Sequence, residues 1–118
     1  MRILFAEDDD ILRTITAERL TRAGFEVVAV ADGELAINSL KQNTYDLVLL
    51  DLRMPNKSGI DVLEFMKAEN IRTHIIIASA IADREVAIQT RKLGADEFLV
   101  KPFTIDDLVV SINKALLK

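Results

Sequence analysis

The chain has 118 residues, a net charge of −4 and no cysteine. That length suits one domain, which buries roughly two-thirds of its unfolded surface without covalent staples. Disulfides and thiolate metal sites are excluded, and the absence of any basic run argues against direct nucleic-acid binding. No apolar stretch approaches the roughly 18 residues of a membrane span, and a strand pattern opens the chain in place of a leader peptide. The expectation is a soluble, cytoplasmic, acidic domain spanning residues 1–118, compatible with a reducing compartment.

The first apolar run, Ile3–Ala6, reads as a strand and ends at Glu7-Asp8. A helical pattern follows, with Ile11, Leu12, Ile15 and Leu20 as its apolar stripe. Asp9 and Asp10 are spaced to cap it and are given that structural role. Gly24 closes the helix at the position where a left-handed residue is wanted. The second run, Phe25–Val30, carries Glu26 and suits a sheet edge. Asp32-Gly33 turns into the second helix, with Asp32 as N-cap.

The third run, Leu47–Leu50, is apolar on both faces and ends at Asp51. Ser58-Gly59 opens the third helix. The fourth run, Ile75–Ala78, ends at Ser79. His74, the one histidine, precedes that run, roughly 16 Å of strand away from Ser79, and takes a boundary role. The fourth helix, roughly Asp83–Leu93, is a weak amphipath. Val86 and Ile88 point to different sides, so one is expected to be exposed and the helix to offer a surface for binding. Gly94 closes it. The fifth run, Glu97–Val100, ends at Lys101-Pro102. The last helix, Ile105–Leu117, puts Ile105, Leu108, Val109, Ile112, Ala115 and Leu116 on one stripe.

Five strands alternating with five helices predict a doubly wound α/β fold with a parallel sheet and helices on both faces. Strand order 2-1-3-4-5 places the first and third strands side by side, and so brings Glu7-Asp8 next to Asp51. All four signals, Glu7-Asp8, Asp51, Ser79 and Lys101, then lie beyond the carboxyl ends of the strands, where such sheets bind ligands. Two carboxylates about 4 Å apart repel by about 4 kcal/mol at an effective dielectric of 20. Three cannot all stay ionised at neutral pH without a cation. The fitting ion is hard, divalent and oxygen-liking, as Mg²⁺ is, with Mn²⁺ as its substitute. Lys101 adds a mobile positive charge. An ionised Asp51 needs no general base to attack phosphorus, and the neighbouring charges suit a phosphoryl group.

The chain resembles the receiver domain of bacterial two-component response regulators, including the chemotaxis type, over its whole length. The segments that carry the resemblance are Ile3–Asp9, Asp46–Pro55, Ser58-Gly59, Ser79-Ala80, Gly94–Asp96 and Lys101–Phe103. It implies a flavodoxin-like (βα)5 fold. It also implies that Asp51 is the phosphoacceptor and that Glu7 and Asp8 form the acidic pair. Asp8, Asp51 and the Arg53 backbone carbonyl would be the protein ligands to Mg²⁺, with Glu7 acting through water. By the same resemblance Ser79 is the switch hydroxyl, Phe98 the switch aromatic and Lys101 the phosphoryl-site lysine, and the Lys101-Pro102 bond is cis. Arg53 and Ile81 fall where they would screen the attacking water.

The resemblance further implies a phosphorelay switch rather than a turnover enzyme. It would catalyse its own Mg²⁺-dependent phosphorylation and dephosphorylation. A sensor histidine kinase or a histidine phosphotransfer protein would donate. The face formed by the fourth helix, fifth strand and fifth helix would then act on an effector or support a phosphorylation-dependent dimer. Glu7, Ser79 and Phe98 stand where the family often has Asp, Thr and Tyr. Ser79 is less restrained in χ1 than a threonine, and Phe98 brings no hydroxyl.

Three other functions fit less well. A haloacid-dehalogenase-type phosphatase resembles a pattern with a second Asp two positions beyond the nucleophile, where this chain has Arg53. A flavodoxin-like cofactor binder needs a hydroxyl- and glycine-rich loop after the first strand, where this chain has Glu7–Asp10. A scaffold that never takes phosphate leaves the full acid, hydroxyl and lysine set unexplained.

Overall fold

The computed structural model describes residues 1–80 and 84–118. Ile81, expected near the attacking water, and Asp83, expected to begin the fourth helix, lie outside the described residues. The elements in chain order are β1 (Arg2–Ala6), α1 (Asp10–Arg22), β2 (Glu26–Val30), α2 (Gly33–Gln42) and β3 (Leu47–Leu50). Then come α3 (Gly59–Ala68), β4 (His74–Ser79), α4 (Arg84–Lys92), β5 (Glu97–Val100) and α5 (Ile105–Leu116). The strands form one parallel sheet in the order β2-β1-β3-β4-β5, as the alternation predicts.

Alternate strand residues feed two cores. Leu4, Ala6, Val48, Leu50 and Ile77 pack with Ala36, Leu40, Val62, Leu63 and Met66 of α2 and α3. Ile3, Phe5, Leu47, Leu49, Ile76 and Ala78 pack with Leu20 of α1 and Leu108, Ile112 and Ala115 of α5. Burial on both faces is why these strands read as unbroken apolar runs. The edge strands β2 and β5 are only half-buried over most of their length.

The helix ends follow local chemistry. Asp9, Asp32, Ser58 and Thr104 are N-caps whose side chains accept a first-turn backbone N–H. At the far ends Gly24 and Gly94 take φ of 101° and 106°, which glycine adopts without steric cost. Phe25 N–H then reaches Leu20 O at 3.1 Å and Ala95 N–H reaches Thr90 O at 3.0 Å. Asn70 does the same for α3 with φ 54°, and Ile71 N–H reaches Met66 O at 2.8 Å.

Two expectations change. The α1 stripe faces the core only in part: Leu20 is buried, but Ile11 is 74% exposed and Ile15 is also exposed, and Thr16 takes a buried place. The helix is turned so that Leu20 meets α5 and the sheet, which carries Ile11 outward. In α5, Leu116 is exposed and Ser111 takes a buried place. In α4, Val86 packs on the core and Ile88 is exposed, as the split pattern predicts.

Candidate functional site

Pairing register gathers the chemistry at one end of the sheet. Ala6 pairs with Leu50, so Glu7-Asp8 and Asp51 leave their strands side by side. Asp51 N–H donates to Ala6 O at 3.1 Å, and Lys101 N–H donates to Ser79 O at 2.9 Å, which extends the ladders into the loops. Ser79 pairs with Val100, one residue before Lys101. The Lys101-Pro102 peptide is cis.

Glu7 is 1% exposed and Asp51 is 7% exposed, while Asp8 faces solvent. One carboxylate oxygen from each of the three lies within 4.8 Å of the other two. Lys101 Nζ donates to Asp51 Oδ2 at 3.0 Å and to Glu7 Oε1. Glu7 Oε2 accepts Asp9 N–H at 3.2 Å, and Asp51 Oδ1 accepts Arg53 N–H at 3.3 Å. Burial pushes the Glu7 carboxyl up to about 7, with the Lys101 and Asp9 hydrogen bonds pulling it back and the Asp51 charge adding to the rise. Burial also works against the Lys101 ammonium, but the hydrogen bonds and charges of Glu7 and Asp51 outweigh it, and its pKa lies above the ordinary lysine value.

One lysine against three carboxylates leaves a surplus of negative charge in a partly buried pocket. All the donors are hard oxygens. That set can hold a hard divalent cation.

The loop after β3 is fixed by close packing. A Cβ on Gly59 would lie 2.4 Å from Asp51 O and 2.8 Å from Leu52 Cα, so α3 approaches the backbone of Asp51 as only glycine permits. Gly59 N–H also donates to Leu52 O at 3.0 Å.

Ser79 is buried at the end of β4. Phe98 is half-buried. It packs against the core cluster on the α2–α3 side and lines a groove of about 230 Å³ with Arg84, Ala87, Ile88 and Arg91. His74 begins β4, away from the pocket, with Nδ1 at 3.7 Å from the Asp96 carboxylate. The boundary role holds. Sequence reading missed Arg13, whose Nη1 donates to Glu7 O at 2.9 Å while Nη2 meets Asp10 Oδ1 at 2.5 Å. The three-residue spacing from Asp10 was the available signal.

With this geometry in place the kinship is clear. The response regulator receiver domain family matches residues 3–113, and the chain belongs to that family. It is therefore a response regulator receiver domain, a module whose fold and site fit a phosphoacceptor switch. The chemotaxis protein CheY of Bacillus subtilis is 37% identical over 116 residues, covering 98% of this chain and 97% of CheY. The cell cycle transcriptional regulator CtrA of Caulobacter vibrioides is 36% identical over 113 residues, covering 96% of this chain and 49% of CtrA. The chain thus matches CheY almost end to end but spans about half of CtrA. Among solved structures, response regulator protein TrrA from Thermotoga maritima in complex with Mg(2+)-BeF superposes with a TM-score of 0.86 at 31% identity, covering 98% of both chains.

Proposed function

We propose that Asp51 is the phosphoacceptor of this receiver. The observation that carries the reading is its nearly buried carboxylate, 3.0 Å from Lys101 Nζ and grouped with Glu7 and Asp8 at the sheet's carboxyl edge. A phosphohistidine of a sensor kinase or phosphotransfer protein is the donor. An Asp51 oxygen forms the new O–P bond as the N–P bond breaks, and the electron pair leaves with the imidazole. Lys101 Nζ, already bonded to Asp51, passes to a phosphoryl oxygen and neutralises it. Asp8, Asp51 and the Arg53 carbonyl, with Glu7 acting directly or through water, would hold Mg²⁺. Bound Mg²⁺ supplies further positive charge at the phosphoryl oxygens. Hydrolysis of the acyl phosphate at the same pocket makes the mark temporary.

The Ser79 hydroxyl donates to a phosphoryl oxygen, and Phe98 moves toward the space that Ser79 vacates. This biases a two-state equilibrium in α4, β5 and α5. Exposed Ile88, Val100 and Val110 on those elements support an effector surface or a phosphorylation-dependent dimer there. Exposed Ile11 and Ile15 lie on α1, whose Leu12 lines a groove of about 330 Å³ with Ala80, Lys101, Pro102 and Phe103. That apolar surface suits the phosphodonor, which must reach Asp51 from this edge. No described helix is long and apolar enough to cross a membrane. Residues 1–118 act as one receiver unit in the cytoplasm.

Incubation with acetyl phosphate or beryllofluoride in MgCl₂, read by mass spectrometry or NMR, tests the assignment. The chain is expected to label at Asp51, and Asp51→Asn to abolish labelling. Stoichiometric labelling of Asp51→Asn overturns it.

A further inference from the structure

The segment Pro55-Asn56-Lys57 is bent more tightly than the site itself explains. Lys57 N–H donates to Pro55 O at 2.8 Å, closing a three-residue turn around Asn56. Asn56 sits at φ 67°. Turns of this kind with positive φ are rare and strained, and asparagine tolerates the left-handed region better than most residues. Such strain persists only where the surroundings hold it.

Here the hold comes from α2. Asn56 Nδ2 donates to Asp32 Oδ2 at 2.8 Å. The other oxygen of Asp32, Oδ1, accepts Leu35 N–H at 2.8 Å and caps the helix. The backbones close up beside it, since a Cβ on Gly33 would lie 2.0 Å from Lys57 O. The loop therefore has two tethers. One joins Leu52 to Gly59 and the other joins Asn56 to Asp32, and Arg53 lies between them.

We infer that Asp32 and Asn56 are a positioning pair, whose hydrogen bond holds the strained turn so that the Arg53 carbonyl and the Asp51 carboxylate keep the orientation a divalent cation needs. Neither residue is among the groups proposed to hold the cation. The inference rests on the cation pocket proposed above and adds a control point outside it. Partners that orient metal ligands typically govern affinity by about tenfold or more.

Titration with MgCl₂ followed by amide shifts, beside thermal melts in EDTA, tests it. Asn56→Gly keeps the positive φ available and deletes the amide. It is expected to melt in EDTA within a few degrees of the parent and to bind Mg²⁺ about tenfold more weakly. The exchanged pair Asp32→Asn with Asn56→Asp rebuilds the hydrogen bond with donor and acceptor reversed, and asparagine caps helices as well as aspartate does. It is expected to recover most of the affinity. Unchanged Mg²⁺ affinity in Asn56→Gly, or an exchanged pair no better than Asn56→Gly, overturns the positioning role alone. A parent chain that takes up no Mg²⁺ at millimolar concentration overturns both this inference and the pocket beneath it.

Discussion

Lys101 and Asp51 stand fifty positions apart in the chain, yet their side chains meet at 3.0 Å. Lys101 also reaches Glu7, so a single ammonium serves two buried carboxylates. Lys101→Ala is expected to lower metal-free stability by about 1–3 kcal/mol, because buried acceptors lose their donor. The loss should be larger at pH 8 than at pH 5, where a protonated Glu7 no longer needs the cation. Denaturant melts in EDTA at both pH values check this, and an equal loss at each would contradict it.

The raised Glu7 pKa has a definite sign. In the metal-free protein the group's stability contribution is fully present below its unfolded value of 4.5 and is lost as pH rises through about 7. Metal-free stability should therefore fall across that window, and Glu7→Gln should flatten the slope. A slope untouched by the substitution would remove Glu7 as its source.

Divalent cation should reverse the same penalty. Mg²⁺ in the millimolar range is expected to raise the thermal midpoint, since a ligand that binds only the folded state stabilises it by mass action. The rise should be greater at pH 8 than at pH 6. A midpoint indifferent to a Mg²⁺ titration would count against the pocket as a cation site.

Gly59 is expected to tolerate no side chain. Gly59→Ala drives a methyl into the Asp51 carbonyl and the Leu52 backbone, neither of which is a flexible end. A loss of about 1–3 kcal/mol follows from such overpacking, together with slower labelling by acetyl phosphate. Parent-like melting and labelling would show that α3 can slide away without consequence.

Activation should be read at one edge of the molecule. Beryllofluoride is expected to change hydrogen exchange and amide shifts mainly in Arg84–Phe103, and Ser79→Ala to blunt that response while Asp51 still labels. Changes concentrated in β2 and α2 would contradict the proposed path through Ser79 and Phe98.

Much of the fold was legible because parallel strands buried on both faces leave unbroken apolar runs, and β1, β3 and β4 are such strands. Glu7-Asp8, Asp51 and Lys101 were legible for a related reason. Each ends a run, and strand order brings the ends together. Helix rotation was less legible. Periodicity groups Ile11, Leu12, Ile15 and Leu20 without saying which of them meet the sheet, and packing against α5 and the sheet buries Leu20 while leaving Ile11 and Ile15 outside. The end of α3 was less legible because Asn70, at φ 54°, stands where a glycine would have marked the stop. The Asp32–Asn56 contact spans 24 positions between two turns, and each residue has a sufficient local reason to be present. Long-range contacts between capable turn residues leave no periodic trace.

Asp51 follows a central strand with β1 on one side and β4 on the other, whereas Phe98 belongs to an outermost strand bonded only to β4. A central strand cannot shift without breaking two ladders. An outermost one gives up half as many bonds. Catching a phosphoryl group calls for stiffness and broadcasting its arrival calls for compliance; under the proposed roles of Asp51 and Phe98, these would fall on opposite flanks of β4.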